Sequence, residues 1–371
     1  MNEQIARRIV RELEMPELVE VLSERLSGSD LSSLLLAVLK RRVSKIDRSR
    51  IMIASPATEA CNLDGRLLNK LENTAYEIAP QFEAIDLSPL CPLGVVATLT
   101  GLDQGNVLST VRSFECASDP TIGLALECAR RRKKQSNRKD VDRLCSNHRV
   151  VRFPLPDNPA FSAHFKLFCL ISAGRDIGSG QFERDAIKEH IRVYLSFLSK
   201  LGETDFAFED IVVELSDTRV VSHFCSIFDV NREEVRANVR ARDSNSSDSL
   251  LAKYSATWPK YVVSPKEDLA KFDLPKHLIT HLDLVEQTVC EPIRKEHSGV
   301  QFKFNLHRLT GLGYYQGPCF HIKTKNSCGQ EYMLADGGFV DWTQVLLSDE
   351  KERLMTSAIG IELICRMFRR A

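Results

Sequence analysis

Residues 310–322 read TGLGYYQGPCFHI. Glycines at 311, 313 and 317 let the backbone turn tightly and approach a ligand closely. The adjacent Tyr314 and Tyr315 carry hydroxyls suited to a polar small molecule. The same pattern also describes a tight turn whose two tyrosines pack on opposite faces of a strand, and both readings stand on chemistry alone. On the N-terminal side, VQFKFNL (300–306) alternates without a break and sets Val300, Phe302, Phe304 and Leu306 on one face. On the C-terminal side, CFHIKTK (319–325) supplies a second strand after the glycine-rich turn. Strand, turn and strand in this order predict a hairpin-like antiparallel pair.

Further out, RVVRF (149–153), HFKLFCLISAG (164–174) and DIVVEL (210–215) are β-branched and aromatic runs bounded by Pro, Gly or Asp, as strands are. Residues 186–201 predict a helix with Ile187, Ile191, Tyr194, Leu195 and Leu198 on one face, and helical spacing resumes over 275–296. DSNSSDS (243–249) has loop composition. The first 46 residues read as helices. Ile5, Ile9, Val10 and Leu13 recur at helical spacing, and Pro16 suits the first turn of a second helix. Ser29 then offers a cap ahead of Leu31, Leu34, Leu35, Val38 and Leu39. Strands and helices mix without a βαβ rhythm, so the class is α+β. The expected organisation is a helical N-terminal extension (1–46) packed on a core (47–371), with a loop and helical insertion at about 220–298.

Of 371 residues, 43% are hydrophobic and 27% charged, enough apolar material for a sizeable core and too much for intrinsic disorder. Fifty Lys and Arg balance fifty Asp and Glu. Nucleic-acid binders draw affinity from a basic excess, so no nucleic-acid partner is expected. No apolar run approaches the ~20 residues of a bilayer span, so no membrane partner is expected either. MNEQIARRIVRELE lacks the apolar centre of a signal peptide. The eleven cysteines form no C-x-x-C pair, which fits reduced thiols in a cytoplasm better than a disulfide framework.

Three smaller signals have bland readings beside functional ones. GRDIGSG (174–180) lacks both phosphate-loop spacings and reads as a surface loop. His277 and His281 stand at i and i+4, but Leu278 occupies the place of the glutamate in H-E-x-x-H, so no metal is expected. The basic run at 130–134, with Arg138 and Lys139, is either a solvated helix end or a phosphate- or acid-binding face.

The tyrosine stretch resembles the R-G-L-D-Y-Y-T-G-x-x-F-E signature of histidyl-tRNA synthetase and its paralogue, the regulatory subunit of ATP phosphoribosyltransferase. Other segments resemble the same family in the same order. SDPTIGLALECA (118–129) is similar to the segment that grips an α-amino group, and RVVRF followed by HFKLFCLISAGRD to class II motif 2. ADGGF (335–339) is similar to a G-G-R-Y turn, and SAIGIELICRMF (357–368) to motif 3. The resemblance spans about 50–371. It implies a class II aminoacyl-tRNA synthetase-like core, a mainly antiparallel sheet of six or seven strands flanked by helices. It also implies a homodimer formed through LSPLCPL (87–93). Its pocket would hold an ammonium group on Asp119 and Thr121, a carboxylate on Arg152 and a side chain on Tyr314 and Tyr315. Asp119-Pro120 is equally an ordinary helix start, with Asp as cap and Pro at the first position.

The departures bear on activity. Arg152 matches the motif 2 arginine, but Pro154 replaces its acidic partner, Leu363 the motif 3 arginine, and Thr310 and Gly313 the arginine and aspartate of R-G-L-D-Y-Y. Attack on ATP relies on fixed cations around developing phosphate charge. The resemblance therefore implies a paralogue without aminoacylation and without a cofactor. It would bind an amino acid or related metabolite and regulate a partner, a phosphoribosyltransferase catalytic subunit of histidine biosynthesis. The alternative is an ATP-dependent ligase that activates a carboxylate for transfer to a small molecule or carrier.

Overall fold

The computed structural model describes residues 2–46, 57–135, 139–153, 162–227, 231, 235, 260–269 and 274–370. The loop-like 243–249 stretch, Pro154 and Arg138 lie outside them. Eleven strands occur among the described residues: β1 Glu83–Ala84, β2 Leu90–Pro92, β3 Phe114–Cys116, β4 Asp142–Val151, β5 His164–Arg175, β6 Glu209–Asp217, β7 Tyr261–Val262, β8 Gln301–Asn305, β9 Pro318–Lys325, β10 Glu331–Val340 and β11 Glu352–Gly360. Nine build one sheet in the order β1-β4-β5-β11-β10-β9-β6-β8-β7, and β2 with β3 forms a separate ribbon. The sheet is antiparallel except where β1 meets β4 and β6 meets β8. It exceeds the expected six or seven strands only through β1 and β7, two residues each at the two edges.

The helices are α1 Asn2–Glu12, α2 Leu18–Glu20 (running into a π turn, Val21–Arg25), α3 Gly28–Val43, α4 Gly65–Ile78, α5 Val95–Thr100, α6 Pro120–Lys134, α7 Gln181–Gly202, α8 Thr218–Ile227, α9 Pro265–Leu269, α10 Lys276–Val285, α11 Glu291–Glu296, α12 Trp342–Leu347 and α13 Ile361–Met367. Along each strand successive side chains alternate between faces. One face packs on α4, α7, α10, α11 and α13 through residues such as Leu71, Tyr194, Phe197, Leu282 and Ile364. The other packs on α5, α6 and α12 through Val96, Ile122, Leu124, Cys128 and Trp342. The alternation read in 300–306 holds: Val300, Phe302, Phe304 and Leu306 are all buried.

The hairpin expectation does not hold. β8 runs parallel to β6 (Phe302 opposite Val213), and β9 lies antiparallel on the other side of β6 (Ile322 opposite Val213). A two-strand hairpin needs a loop of 2–5 residues. The chain between Asn305 and Pro318 is longer and folds into its own turn, with the amides of Tyr314 and Tyr315 both bonded to Gly311 O. That connection carries the chain past β6.

ADGGF is not a turn but the middle of β10, Gly337 opposite Phe320 and Gly338 opposite Cys319. A Cβ at Gly337 would lie 2.7 Å from the Phe320 ring, and one at Gly338 would lie 2.6 Å from the Tyr315 ring. The glycines are a flat bed for two aromatic side chains. At the N-terminus Ser27, not Ser29, caps α3, its Oγ accepting from Asp30 N. No residue from 3 to 46 is buried, and none of them joins the core clusters of the described residues.

Candidate functional site

β4 and β5 form the strand pair that motif 2 implies, from Asp142 opposite Ala173 to Val151 opposite His164. Arg152 sits just beyond the end of β4, its backbone amide bonded to Ala163 O. Its Nε donates to Ser118 O at 2.9 Å, and its guanidinium lies over the Phe165 ring at 5.1 Å. These contacts leave Nη2 3.7 Å from Asp119 Oδ2.

Asp119 performs two tasks with its two oxygens. Oδ1 caps α6, accepting from Thr121 N at 3.0 Å and Thr121 Oγ1 at 2.8 Å, with Pro120 at the first helical position. Oδ2 faces the Tyr314 hydroxyl at 3.4 Å and the Arg152 guanidinium. Both contacts are long, so this oxygen retains acceptor capacity. The structure thus brings Asp119, Thr121, Arg152 and Tyr314 together.

Tyr315 is placed differently. Its ring meets Tyr314 edge-on at 4.9 Å and lies buried against Gly311 and Gly338. Tyr314 is also held edge-on by Trp342 at 5.4 Å, whose Nε1 donates to Leu99 O. The two tyrosines therefore do not occupy opposite faces of a strand: the outer one reaches Asp119 and the inner one supports it. Burial first, and the Asp119 carboxylate second, push the Tyr314 hydroxyl well above its ordinary value, so it is a donor at neutral pH.

Three residues beside the tyrosines were not singled out in the sequence. Arg308, with a side chain only 2% exposed, donates from Nη2 to Asp336 Oδ1 at 2.8 Å and from Nε to Thr310 O, and lies over the Tyr315 ring at 5.4 Å. A buried guanidinium therefore stands two residues from Thr310. Asp336 is cross-strand neighbour to His321, His321 to Glu214 and Glu214 to Lys303, a polar row across four adjacent strands. Burial, then the charge of Arg308, pushes His321 down to about 4, so it is neutral. Burial alone would raise Glu214, but the ammonium groups of Lys323 and Lys303 outweigh it and hold the carboxyl at about 2. The alternation in CFHIKTK sets His321 and Lys323 together on one face and was a usable signal. Arg308 had none, because its role depends on Asp336, 28 residues away.

The smaller signals resolve as structure. Leu363 of α13 packs against the apolar core, and its neighbour Glu362 is paired with Arg149 at 2.7 Å. Of the 174–180 stretch, Gly174 and Arg175 end β5 and only 176–180 lead as a loop into α7, Gly178 N bonding to Asp176 Oδ1. His277 is exposed while His281 lies 3.5 Å from Asp217. No group of three potential metal ligands occurs among the described residues. In the basic run, Arg131 pairs with Glu83 and Glu127, and Arg132 is buried against Glu352 and Asp142. All eleven cysteines are free.

The architecture matches solved structures in fold and only weakly in sequence. An ATP phosphoribosyltransferase regulatory subunit/histidyl-tRNA synthetase from Bacillus halodurans aligns with TM-score 0.63 at 14% identity, covering 85% of this chain and 83% of that one. The fold is that of the class II synthetases. Histidyl-tRNA synthetase from Nostoc aligns with TM-score 0.56 at 17% identity over 87% of this chain and 75% of that one. The ATP phosphoribosyl transferase (HisG:HisZ) complex from Thermotoga maritima gives 0.52 at 14% identity over 81% and 98%. No family model matches the chain, and no curated protein does. No described helix is long and apolar enough to cross a membrane.

Proposed function

We propose that this class II synthetase-like protein is a cytoplasmic paralogue without aminoacylation, one that binds an amino acid or related metabolite and regulates a partner enzyme. The observation that carries the reading is the half-used Asp119 carboxylate beside Arg152. A capped, fixed anion and a guanidinium lie within 3.7 Å, the spacing at which an α-ammonium and an α-carboxylate can be held side by side. Tyr314 covers the pair, and the row from Asp336 to Lys303 extends the polar face beyond it. The apolar packing of Leu363 argues against a cation at that point of a nucleotide site. The likeness to the Thermotoga complex supports a phosphoribosyltransferase catalytic subunit as the partner, and with it a role in histidine biosynthesis. A homodimer is part of the proposal. Leu90 and Leu93 are exposed on and beside β2, as an interface segment would leave them.

Calorimetry with a panel of free amino acids, on the full chain, tests the pocket. Binding of one amino acid in the micromolar to millimolar range is the expected result, and no heat with any of them overturns it. The second reading, an ATP-dependent ligase, is favoured by Arg152 together with the buried Arg308. Amino-acid-dependent pyrophosphate exchange would establish it and remove the regulatory reading.

A further inference from the structure

Twenty-four large apolar side chains stand exposed among the described residues, and twelve of them fall in the first 46. Single exposed apolar residues are ordinary, but a concentration of this kind marks a contact surface. Ile5 and Ile9 run along α1 with Leu13 just past its end, and Leu35, Val38 and Leu39 run along α3. Each of these side chains is exposed among the described residues.

Charge says what covers them. Between 12 and 24 the sequence holds five glutamates and no base, and between 40 and 45 four bases and no acid. The intrachain pairs of the acidic segment are local: Arg8 with Glu12, and Arg25 with Glu17 and Glu20. Among the described residues Lys40, Arg41, Arg42 and Lys45 meet no carboxylate, and Glu14 and Glu24 meet no base. A surface that carries both a block and its opposite suits an isologous twofold contact, in which each copy supplies both halves.

We propose that residues 2–46 dock on the same residues of a second copy of this chain, apolar stripe on apolar stripe. The acidic 12–24 segment of each copy faces the basic 40–45 segment of the other. This contact is independent of the amino-acid pocket. Its charged rim is exposed and weakens with salt, while the apolar stripe does not.

The test places benzoylphenylalanine at Leu35 in the full chain and maps photo-crosslinks by mass spectrometry. The expected products join two chains, Leu35 of one to residues 5–22 of the other. Two charge-reversed variants, Glu14→Lys/Glu24→Lys and Arg41→Glu/Arg42→Glu, each alone reduce that product about tenfold or more, and mixing them restores it. Restoration also shows that both variants retain their helices. Cross-links confined to one chain, cross-links onto residues 57–370, or yields that do not respond to the swap and its mixture each overturn the proposal. So does a failure of the mixture to rescue.

Discussion

Asp119 shows how one side chain serves fold and site together. Its Oδ1 is committed to Thr121, and Oδ2 is the oxygen turned toward Tyr314 and Arg152. Asparagine caps helices about as well as aspartate, so Asp119→Asn keeps the α6 cap through its oxygen, while it removes the charge and replaces the Oδ2 acceptor with an NH2 donor. The variant is expected to melt within about a degree of the parent while its amino-acid affinity falls ~10-fold or more, read by calorimetry. A second residue governs acid stability. His190 is fully buried between Ser172 Oγ at 3.0 Å and Ser357 Oγ at 2.7 Å. Burial, then Arg143, pushes it down to about 3. The unfolded chain binds a proton there below about 6.5 and the folded one does not. Its contribution is complete above pH 6.5 and is lost as pH falls toward 3, by up to ~1.4 kcal/mol per unit. His281 and His321, both pushed down to about 4, act with the same sign. Urea melts between pH 7.5 and 5 are expected to show this fall, and His190→Gln to start less stable but with a shallower slope.

At the scale of elements, five strands were legible, β4, β5, β6, β8 and β9, and their neighbours were not. Alternation in 300–306 identifies β8 and its buried face correctly, because period two is a local property. Pairing is long-range: β6, nearly ninety residues upstream, inserts between β8 and β9 through ladders that no local pattern encodes. The two glycines of β10 illustrate the same point. Gly338 lies 2.6 Å, by its absent Cβ, from both the Tyr315 ring and Cys319 Cβ. A methyl there must displace the ring that supports Tyr314. Gly338→Ala is expected to cost about 1–3 kcal/mol, as overpacking does, and to weaken ligand binding as well. Chemical melts and calorimetry on the same protein separate the two effects.

Across the whole molecule, α6 is tied to the sheet by a charge network rather than by apolar packing alone. Arg132, 0% exposed, donates from Nε to the equally buried Glu352 and from Nη1 to Asp142 at 3.0 Å. Removing one partner strands a buried charge. Arg132→Met is expected to lose about 3–5 kcal/mol in urea unfolding, whereas Arg132→Met/Glu352→Leu recovers most of it. The run at 130–134 was open to reading as an anion-binding face. Its three arginines are instead held in ion pairs, one of them wholly inside the protein.

Hydrophobic period, cap residues and turn glycines are local physics. They sufficed for the α+β class, for β4, β5, β6, β8 and β9 among the eleven strands, for the long helix α7 and for the cap at Asp119. The collinear resemblance added the architecture that the solved structures share. Tertiary structure alone decided the strand order, the separate roles of Tyr314 and Tyr315, and the presence of Arg308, His321 and Asp336 beside them. It also left the N-terminal stripes exposed among the described residues. Each of these depends on which distant segments meet, and contact between residues far apart in the chain leaves no periodic trace in one sequence.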